Sequence, residues 1–370
     1  QTTDLEVRSS TLLGRAKKRS YMLIDINESK ILQNETLSHL FKSANLLDIN
    51  ENCKILNTEF YLDSFNYFPI TKNNETFGKL FKRQDDNSID HFYTEDFFKS
   101  FIDKKNDFKL IKDSMVLGSS PSDNYFTNLI HFLPRIFFIN DKKINLAIHR
   151  NLSNRFRKFI QTIGILRGIE ISFTYLDDGF YNFNNSYIPA FFNVTKSIKI
   201  LKIFLEKILL NVKVPQFKPK IYIRRENTNY RKVLNEADLI SKLRRYDFEI
   251  INPQHFEILE QMKIFSNAEV IISPHGSNVS NLIFCKKGTK IIEISPELNN
   301  SFEQNISRRY KDIADILNLE FQTIRADSVD VVKHSELSTK YIHSKILKNS
   351  NYYKNMILKL SEIENNLNSL

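Results

Sequence analysis

An alternation of short apolar segments with amphipathic ones occurs twice along the chain, and this feature constrains the fold most. Apolar segments rich in β-branched and aromatic residues predict strands, and apolar residues at helical spacing between them predict helices. Strands joined through helices lie parallel in one sheet. We therefore expect an α/β protein with doubly wound sheets. In the first block the predicted strands are 114–117, 144–148 and 169–175, and the predicted helices are 124–139 and 150–166.

The second block repeats this pattern after a helix at 198–212 and a short linker at 215–219. The chain beyond residue 301 is mostly helical in pattern and ends in a predicted long helix over 351–367. These changes in the pattern of predicted elements divide the chain into three regions. We expect a Rossmann-like lobe at 1–200, a second one at 213–330, and helices at 331–370 that pack back on the first lobe. The strands predicted in the second block are 220–224, 248–251, 270–273 and 290–294, and the helices are 235–246, 256–266 and one that begins at 278.

Several common chemistries are excluded by motifs that the sequence lacks. The eight glycines form neither a GxGxxG fingerprint nor a P-loop, so the usual dinucleotide and P-loop nucleotide sites are excluded. The sequence also has no HExxH, GxSxG or Asp-x-Asp motif. Its two cysteines, Cys53 and Cys285, are far apart, so neither a disulfide framework nor a zinc site is expected, and a reducing compartment fits.

The charge of the chain favours an anionic partner. Lys and Arg number 53 against 43 for Asp and Glu, which gives a formal net charge of +10. The surplus is spread along the chain and forms no basic tail, so we expect no nucleic-acid partner. No apolar run reaches the ~18 residues that a membrane-spanning helix needs. We expect a cytoplasmic protein, with peripheral attachment to an anionic inner membrane through its basic surface and amphipathic helices.

The densest group of chemically capable residues lies in the second block. Arg224 and Arg225 end its first predicted strand, and the turn Pro274-His275-Gly276 lies between a later strand and a helix. Ligands of an open parallel sheet bind beyond the carboxyl ends of its strands, and a helix N-terminus there attracts anions. Arginines at a neighbouring strand end can hold phosphate oxygens. These residues predict a diphosphate site without a metal, with Glu293 accepting hydrogen bonds from a ribose.

The same segments resemble the family 61 glycosyltransferases. The matching stretches are IYIRR (221–225), RKVLNEADL (231–239), the segment 251–284 around SPHGSNVSN, and KKGTKIIEISP (286–296). The usual family centre is PHGAGLTN, so this chain departs from it over residues 277–280. A weaker match covers NYFTNL and FLPR at 124–135, which is similar to the family's NYxHWL and LPR helix. Thr127 and Asn128 stand there at the family's His and Trp positions, and His131 lies one turn later on the same face.

The resemblance implies a GT-B-like protein with a cleft between its two Rossmann-like lobes and a C-terminal helical segment. The first lobe would bind the acceptor and the second the donor. The implied reaction is an inverting transfer, without metal or other cofactor, from a nucleotide-diphosphate sugar, with UDP favoured. The expected acceptor is a glycan or glycolipid in bacterial cell-surface polysaccharide or lipopolysaccharide synthesis. The second lobe would hold the donor with Arg224, Arg225, Arg231, His275, Gly276, Ser277, Asn278 and Glu293, and the first lobe would hold the acceptor with Asn124, Tyr125 and Arg135.

The general base and the nucleotide are left open at this point. Candidate bases are Asp123, His131, Asp177 and Asp178. Asp177-Asp178-Gly179 resembles the acidic turn of bacterial sialyltransferases, in which the second acid is the base. One alternative is therefore a CMP-sugar transferase that uses Asp178 as base. A second alternative is a catalytically inactive homologue that acts as a binding or scaffold subunit.

Overall fold

The computed structural model describes residues 31–33, 54–65, 67–72, 95–139, 141–209, 216–226, 228, 230–299, 301–330 and 350–368. The chain divides into two compact units, Gln1–Ser197 and Ile198–Leu370. Each unit contains one β-sheet together with helices, so the expected α/β class is confirmed. The cleft and the roles assigned to the lobes stay predictions.

The sheet of the first unit has eight strands of mixed direction. Its strands are β1 (Ile31–Gln33), β2 (Lys54–Asp63), β3 (Phe68–Thr71), β4 (Lys109–Lys112), β5 (Ser114–Val116), β6 (Lys143–His149), β7 (Glu170–Leu176) and β8 (Phe180–Pro189). The main order is β1-β2-β8-β5-β6-β7, with β3 paired to β2 and β4 to β8. Strands β5, β6 and β7 are parallel, as predicted, whereas β2 is antiparallel to β8. The apolar segment 53–62 indicated a strand and overlaps β2, whereas the sequence pattern did not identify β8.

The α-helices of this part are α1 (Glu95–Lys104), α2 (Asn154–Leu166) and α3 (Val194–Leu209), which contains the boundary between the units. Helix α2 begins at Asn154, a few residues after the predicted start. Ser153 caps it, because its hydroxyl accepts a hydrogen bond from the N–H of Phe156. Its apolar face packs in the core through Phe156, Phe159 and Ile163, which are buried.

The segment predicted as one helix over 124–139 is irregular. The structure has a 3₁₀-helix at Ser120–Asp123, a π-helix at Thr127–Phe132 and a 3₁₀-helix at Leu133–Phe138. Pro134 has no N–H to donate, and its ring disfavours a regular α-helix through this point. All residues of the π-helix and of the second 3₁₀-helix are buried, so tertiary packing decides their winding.

The second unit has a six-stranded sheet of order β10-β9-β11-β12-β13-β14. Its strands are β9 (Lys220–Ile223), β10 (Glu249–Ile251), β11 (Val270–Pro274), β12 (Lys290–Pro296), β13 (Glu320–Val329) and β14 (Asn355–Ile357). All neighbours are parallel except β13 and β14. Every residue of β11 is buried, as expected for a central parallel strand. The helices are α4 (Glu236–Arg245), α5 (Ile258–Asn267), the 3₁₀-helix Ser277–Phe284, α6 (Ser301–Leu317) and α7 (Leu360–Asn368).

The long helix predicted over 351–367 is wrong. The structure has a 3₁₀-helix at Asn351–Tyr353, then β14, and only then α7. The backbone of this segment bonds across the sheet instead of along a helix, because β14 pairs with β13 and the N–H of Met356 donates to Lys232 O. Met356, Ile363 and Leu367 join the core of the second unit, whereas the sequence analysis placed this segment on the first lobe. Residues 331–349 lie outside the described residues.

One further observation concerns membranes. Across the described part of the chain, no helix combines the length and the apolar character that crossing a bilayer requires.

Candidate active site

Two turns meet at the carboxyl ends of β9 and β11. These strands are paired in parallel, with Ile272 beside Tyr222, so the residues that follow each strand come out at the same sheet edge. Arg225 follows β9, and its Nη1 donates a hydrogen bond to the carbonyl of His275, which follows β11. Its Nη2 donates to the hydroxyl of Thr228 at 3.2 Å. The predicted meeting of an arginine with the Pro-His-Gly turn is therefore present.

The end of the Arg225 side chain lies directly against Gly276. A Cβ built on Gly276 would stand 2.8 Å from Cζ of Arg225, which is closer than real side chains pack. The backbone of Gly276 is extended, with φ 170°, so no left-handed conformation is involved. The sequence pattern assigned Gly276 to the donor site. In the structure the missing side chain first makes room for a guanidinium group.

Arg231 is the second arginine of the site, and it is surrounded by tyrosines. It is only 7% exposed, and its Cζ lies 4.8 Å from the ring centre of Tyr230 and 4.7 Å from that of Tyr352. Its Nε has no hydrogen-bond partner within the described residues. The backbone of Arg231 has φ +56°, a left-handed conformation that is costly for a side chain of this kind. Arg231 therefore combines a strained backbone with aromatic contacts to Tyr230 and Tyr352.

Neither Arg225 nor Arg231 forms an ion pair with a carboxylate among the residues that the structure describes. Arg225 is only partly buried, so a ligand can reach it. Burial and the nearby Arg231 lower the pKa of Arg225 to about 10, which still leaves it charged at neutral pH. We call Arg225, Arg231 and the turn 274–278 the arginine site. It carries two positive charges that no described carboxylate matches.

His275 and Glu293 form a buried pair beside these arginines. Nδ1 of His275 lies 2.7 Å from Oε1 of Glu293, and both residues are nearly inaccessible. Burial, together with the arginines 225, 231, 309 and 325, lowers the pKa of His275 well below its usual value. Burial raises the pKa of Glu293 to about 8, although two arginines oppose this. The pair is therefore neutral at pH 7 and leaves the arginine charges uncompensated.

The ribose role predicted for Glu293 has to be weighed against this contact. Glu293 is on β12, opposite Ser273 of β11, and only 2% of it is exposed. Its carboxyl group bonds to the His275 ring instead of standing open to a ligand. In the described structure it orients His275.

Arg224 differs sharply from its neighbour Arg225. Its Nε donates to Glu236 at 3.0 Å, and its Nη1 lies 2.9 Å from Glu226. The hydroxyl of Tyr222 donates to the same Glu236 carboxylate at 2.9 Å. The charge of Arg224 is thus already balanced, and this side chain ties the end of β9 to the first turn of α4.

Ser277 and Asn278 begin the 3₁₀-helix that follows the turn, and both are half-buried. The N–H groups at the beginning of a helix have no acceptor within that helix and carry a partial positive charge. The hydroxyl of Ser280 closes this first turn by donating to the Ser277 carbonyl at 2.6 Å. These residues add neutral donors to the arginine site.

The acidic turn of the first unit is held firmly. The Ser64 hydroxyl bonds to the carbonyls of Asp177 and Gly179, and the N–H of Asp177 donates to the Tyr181 hydroxyl at 2.8 Å. Asp178 remains 42% exposed, and its Oδ1 lies 3.1 Å from Nε2 of the buried His149.

The tautomer of His149 follows from its other nitrogen. Nδ1 accepts from the N–H of Asn151 at 3.2 Å, so the ring proton lies on Nε2, which is close to Asp178 but does not have hydrogen-bond geometry toward it. The adjacent Asp177 instead pairs with Arg150 at 2.7 Å, and the hydrogen bond from Arg150 lowers its pKa.

The remaining candidates of the first unit lie in different settings. His131 is 4% exposed in the π-helix, with its ring edge against Phe126. Asp123 and Asn124 are exposed, and Asn124 accepts a hydrogen bond from the N–H of Thr127. Tyr125 is half-buried against Phe156.

The acceptor role predicted for Arg135 is wrong. This residue is 0% exposed and donates to the carbonyls of Leu117, Val116 and Pro189 at 3.2, 3.1 and 2.9 Å. Its guanidinium group also lies over the rings of Tyr67 and Phe191. A buried charge needs such partners, so Arg135 stabilises the core of the first unit and cannot contact an acceptor from solvent.

Sequence reasoning missed the aromatic residues of the arginine site and the histidine that holds Asp178. Tyr230 could have been noticed because it precedes Arg231 in the chain. Tyr352 could not, because its segment was assigned to a helix and its partners Arg231 and His275 lie at least 77 residues away in the sequence. His149 stood at the end of a predicted strand, which was a usable signal.

The family model described as Glycosyltransferase 61 matches residues 125–292, a little under half of this chain. The EGF domain-specific O-linked N-acetylglucosamine transferase of Drosophila melanogaster is 29% identical over 122 residues, which are 32% of this chain and 22% of that protein. The proteins of the same name from Pan troglodytes and Mus musculus are 24% and 23% identical over 34% and 35% of this chain, and over 24% and 25% of their own length. The chain thus spans about a quarter of the relatives it matches. Residues 125–292, which hold both arginines and the Pro-His-Gly turn, are therefore similar to the family 61 glycosyltransferases, a family of transferase enzymes.

Proposed function

We propose that this enzyme transfers a sugar, with inversion, from a nucleotide-diphosphate donor to a hydroxyl group of a glycan or glycolipid. The observation that carries this proposal is the unmatched charge of Arg225 and Arg231 at the carboxyl ends of parallel strands. A diphosphate brings the opposite charge, and guanidinium groups hold phosphate oxygens with good geometry.

On the donor side, the bond between the anomeric carbon and the diphosphate oxygen breaks, and its electron pair leaves with the diphosphate. Arg225, Arg231 and the N–H groups of Ser277 and Asn278 stabilise the charge that develops there. Such preorganised donors act without reorganisation at the moment of reaction, which makes them a large contributor to rate. The neutral His275–Glu293 pair keeps the site positive.

On the acceptor side, the hydroxyl oxygen attacks the anomeric carbon and its proton passes to a carboxylate. We assign this proton to Asp178, because it combines partial exposure with a fixed position. Ser64 and Tyr181 hold the turn, and Nε2 of His149 lies 3.1 Å from the carboxylate. A general base needs both features, since it must reach the substrate and keep its geometry.

The sugar and the nucleotide are chosen from the relatives and from the charge of the site. The relatives are named as N-acetylglucosamine transferases, so UDP-N-acetylglucosamine is the first donor to test. Two guanidinium groups match a diphosphate better than the single phosphate of a CMP-sugar. The alternative hypothesis of a CMP-sugar donor also uses Asp178 as the general base, and only the resemblance of the turn 177–179 to that of sialyltransferases favours it.

The proposed acceptor is a growing surface polysaccharide or lipopolysaccharide. The relatives are named for EGF domains, and a protein acceptor is the competing outcome. Flotation with anionic and neutral liposomes tests attachment to a membrane. Binding that needs anionic lipid and is lost at high salt supports a lipid-linked acceptor.

The decisive test of the proposed function is a donor panel of UDP-, GDP-, dTDP- and CMP-sugars in EDTA, with release of the nucleotide as readout. We expect turnover of a UDP-sugar without added metal. Turnover of a CMP-sugar alone favours the sialyltransferase-like alternative, and strict dependence on Mn²⁺ contradicts the arginine-based site. If no nucleotide is released from any of these donors, the result supports the alternative of a catalytically inactive homologue that acts as a binding or scaffold subunit.

A further inference from the structure

The C-terminal segment 350–358 is bonded closely to the loop that carries Arg231. The N–H of Arg231 donates to Lys354 O at 3.2 Å, and the N–H of Leu234 donates to Met356 O at 2.8 Å. The side chain of Asn235 completes this contact by bonding both the carbonyl and the N–H of Leu358, at 2.8 and 3.0 Å. The segment is therefore part of the structure that holds Arg231, although the two are far apart in the sequence.

Tyr352 is the residue through which this segment reaches the arginine site. It is 7% exposed, and its ring lies 4.7 Å below Cζ of Arg231. The same ring makes an edge contact with His275, at 5.4 Å between ring centres. Its hydroxyl lies 3.2 Å from Nε2 of His275. One side chain thus contacts both the unmatched cation and the buried histidine.

The direction of these hydrogen bonds follows from the neutral state of the pair. A protonated Glu293 donates to Nδ1 of His275, which places the remaining ring proton on Nε2. Nε2–H then donates to the Tyr352 oxygen, and the hydroxyl hydrogen of Tyr352 remains available for another acceptor. Removal of the Tyr352 oxygen would leave a buried N–H of His275 without an acceptor.

We propose that Tyr352 is a positioning residue of the donor site, whose ring seats the Arg231 guanidinium and whose hydroxyl fixes the His275 ring. This inference rests on the proposed function, because it names the residue that prepares the same anion site. Arg231 sits in a left-handed conformation with an unbonded Nε, so its own contacts do not define its direction. An aromatic face supplies that definition through a cation–π contact.

Two variants separate the two contacts of Tyr352. Tyr352→Phe keeps the ring under Arg231 and removes the hydroxyl on His275, whereas Tyr352→Ala removes both. Tyr246→Phe is the matched control, because it removes a tyrosine hydroxyl bond in the same unit, to Asn368 at 2.8 Å. Each protein is titrated with UDP and with inorganic pyrophosphate by calorimetry, after circular dichroism has verified folding.

We expect the Kd for both probes to rise ~3–10-fold in Tyr352→Phe and ~10–100-fold in Tyr352→Ala, from the usual strength of a hydrogen bond and of a desolvated cation–π contact. Tyr246→Phe should stay within about twofold of the wild type. In steady-state kinetics the KM for the donor should rise while the KM for the acceptor does not change. A purely structural tyrosine would lower the melting temperature without moving these constants.

The outcomes distinguish the inference from the function on which it rests. Wild-type binding of UDP together with unchanged binding in folded Tyr352→Phe and Tyr352→Ala overturns the role of Tyr352 and leaves the donor site standing. If Tyr352→Ala does not fold, an unchanged Kd in Tyr352→Phe together with a KM for the donor equal to that of wild type overturns it. Absence of UDP and pyrophosphate binding in the wild type overturns both the donor site and this inference.

Discussion

Arg135 of the first unit and Arg231 of the second unit look alike by burial and by aromatic contact. Arg135 is 0% exposed between Tyr67 and Phe191, and Arg231 is 7% exposed between Tyr230 and Tyr352. Their hydrogen bonds differ. Nε lacks a partner within the described residues in both arginines, but the terminal nitrogens of Arg135 donate to three backbone carbonyls and to a tyrosine hydroxyl, and such bonds are missing from Arg231.

The comparison teaches that burial alone does not identify a functional arginine. A buried cation whose hydrogen bonds are satisfied stabilises the fold, and one whose hydrogen bonds are open is prepared for an anion. Arg224 and Arg225 differ in their ion pairs instead, since Arg224 has two carboxylate partners and Arg225 has none among the described residues, although Arg225 does donate to His275 O and Thr228. The predictions below test whether this distinction holds.

The largest effect is expected on stability from Arg135→Met. The substitution removes a buried cation and its hydrogen bonds to three carbonyls, at about 1–3 kcal/mol for each group that is left unsatisfied. The free energy of unfolding should fall by ~3 kcal/mol or more in urea titration. The Kd for UDP, measured on the folded fraction, should equal that of the wild type. Selective loss of UDP binding in a stable protein would remove the contrast between the two units.

Arg225→Ala should act on catalysis. We expect kcat/KM to fall by at least ~100-fold, the order observed when one charge-stabilising donor is lost. Arg308→Ala is the control, because Arg308 is an exposed arginine of α6 paired only with Asp312 within the described residues. Turnover close to the wild type in the Arg225 variant would contradict the assignment.

Arg224→Ala should be milder than Arg225→Ala. Arg224 already shares its charge with Glu226 and Glu236, so its loss disturbs the end of β9 more than the donor. We expect turnover to fall less than ~10-fold, with a small loss of stability as for partly exposed ion pairs. Equal losses for both variants in the same assay would show that the two arginines act together as one clamp, as the sequence analysis first predicted.

The smallest effect concerns pH. Glu293 has a pKa of about 8 in the folded chain, above its ordinary value, so the native state holds a proton that the unfolded state has lost. This contribution to stability is complete below the unfolded pKa near 4.5 and is lost as pH rises through about 8. The lowered pKa of His275 acts in the opposite sense only below about pH 6.5. Between pH 6.5 and 8 stability should therefore fall by roughly 1–2 kcal/mol.

Glu293→Gln provides the comparison for that pH dependence. Glutamine does not titrate, so the variant should lose the slope between pH 6.5 and 8, whatever its stability at pH 6.5. Urea titrations at three pH values in this window measure both slopes. Identical slopes in the two proteins would mean that Glu293 does not hold the extra proton.

The sequence predicted the placement of the arginine site well, for a physical reason. The strands that became β9, β11 and β12 are continuous apolar runs, and the parallel sheet brings the ends of β9 and β11 together. Arg225 and Gly276 therefore had to be neighbours. Their detailed contact, a guanidinium group filling the space above the glycine, depends on side-chain packing and was not visible in the sequence.

Other features depend on contacts between distant segments, which no local pattern reports. The family resemblance assigned Arg135 to the acceptor, and its actual partners, the carbonyls of Val116 in β5 and Pro189 in β8, could not be inferred because β8 was not recognised. Tyr352 was placed in a helix because its segment has apolar residues at helical spacing, although the pairing of β14 with β13 overrides that preference. The choice between Arg224 and Arg225 required knowing where Glu236 points.

The central claim is that Arg225 and Arg231 together bind the donor diphosphate. Calorimetric titration of UDP in EDTA, into the wild type and into the double variant Arg225→Ala, Arg231→Ala, tests it most directly. The account predicts saturable binding by the wild type and a Kd at least ~100-fold weaker in the folded double variant. The same Kd in both proteins would contradict it.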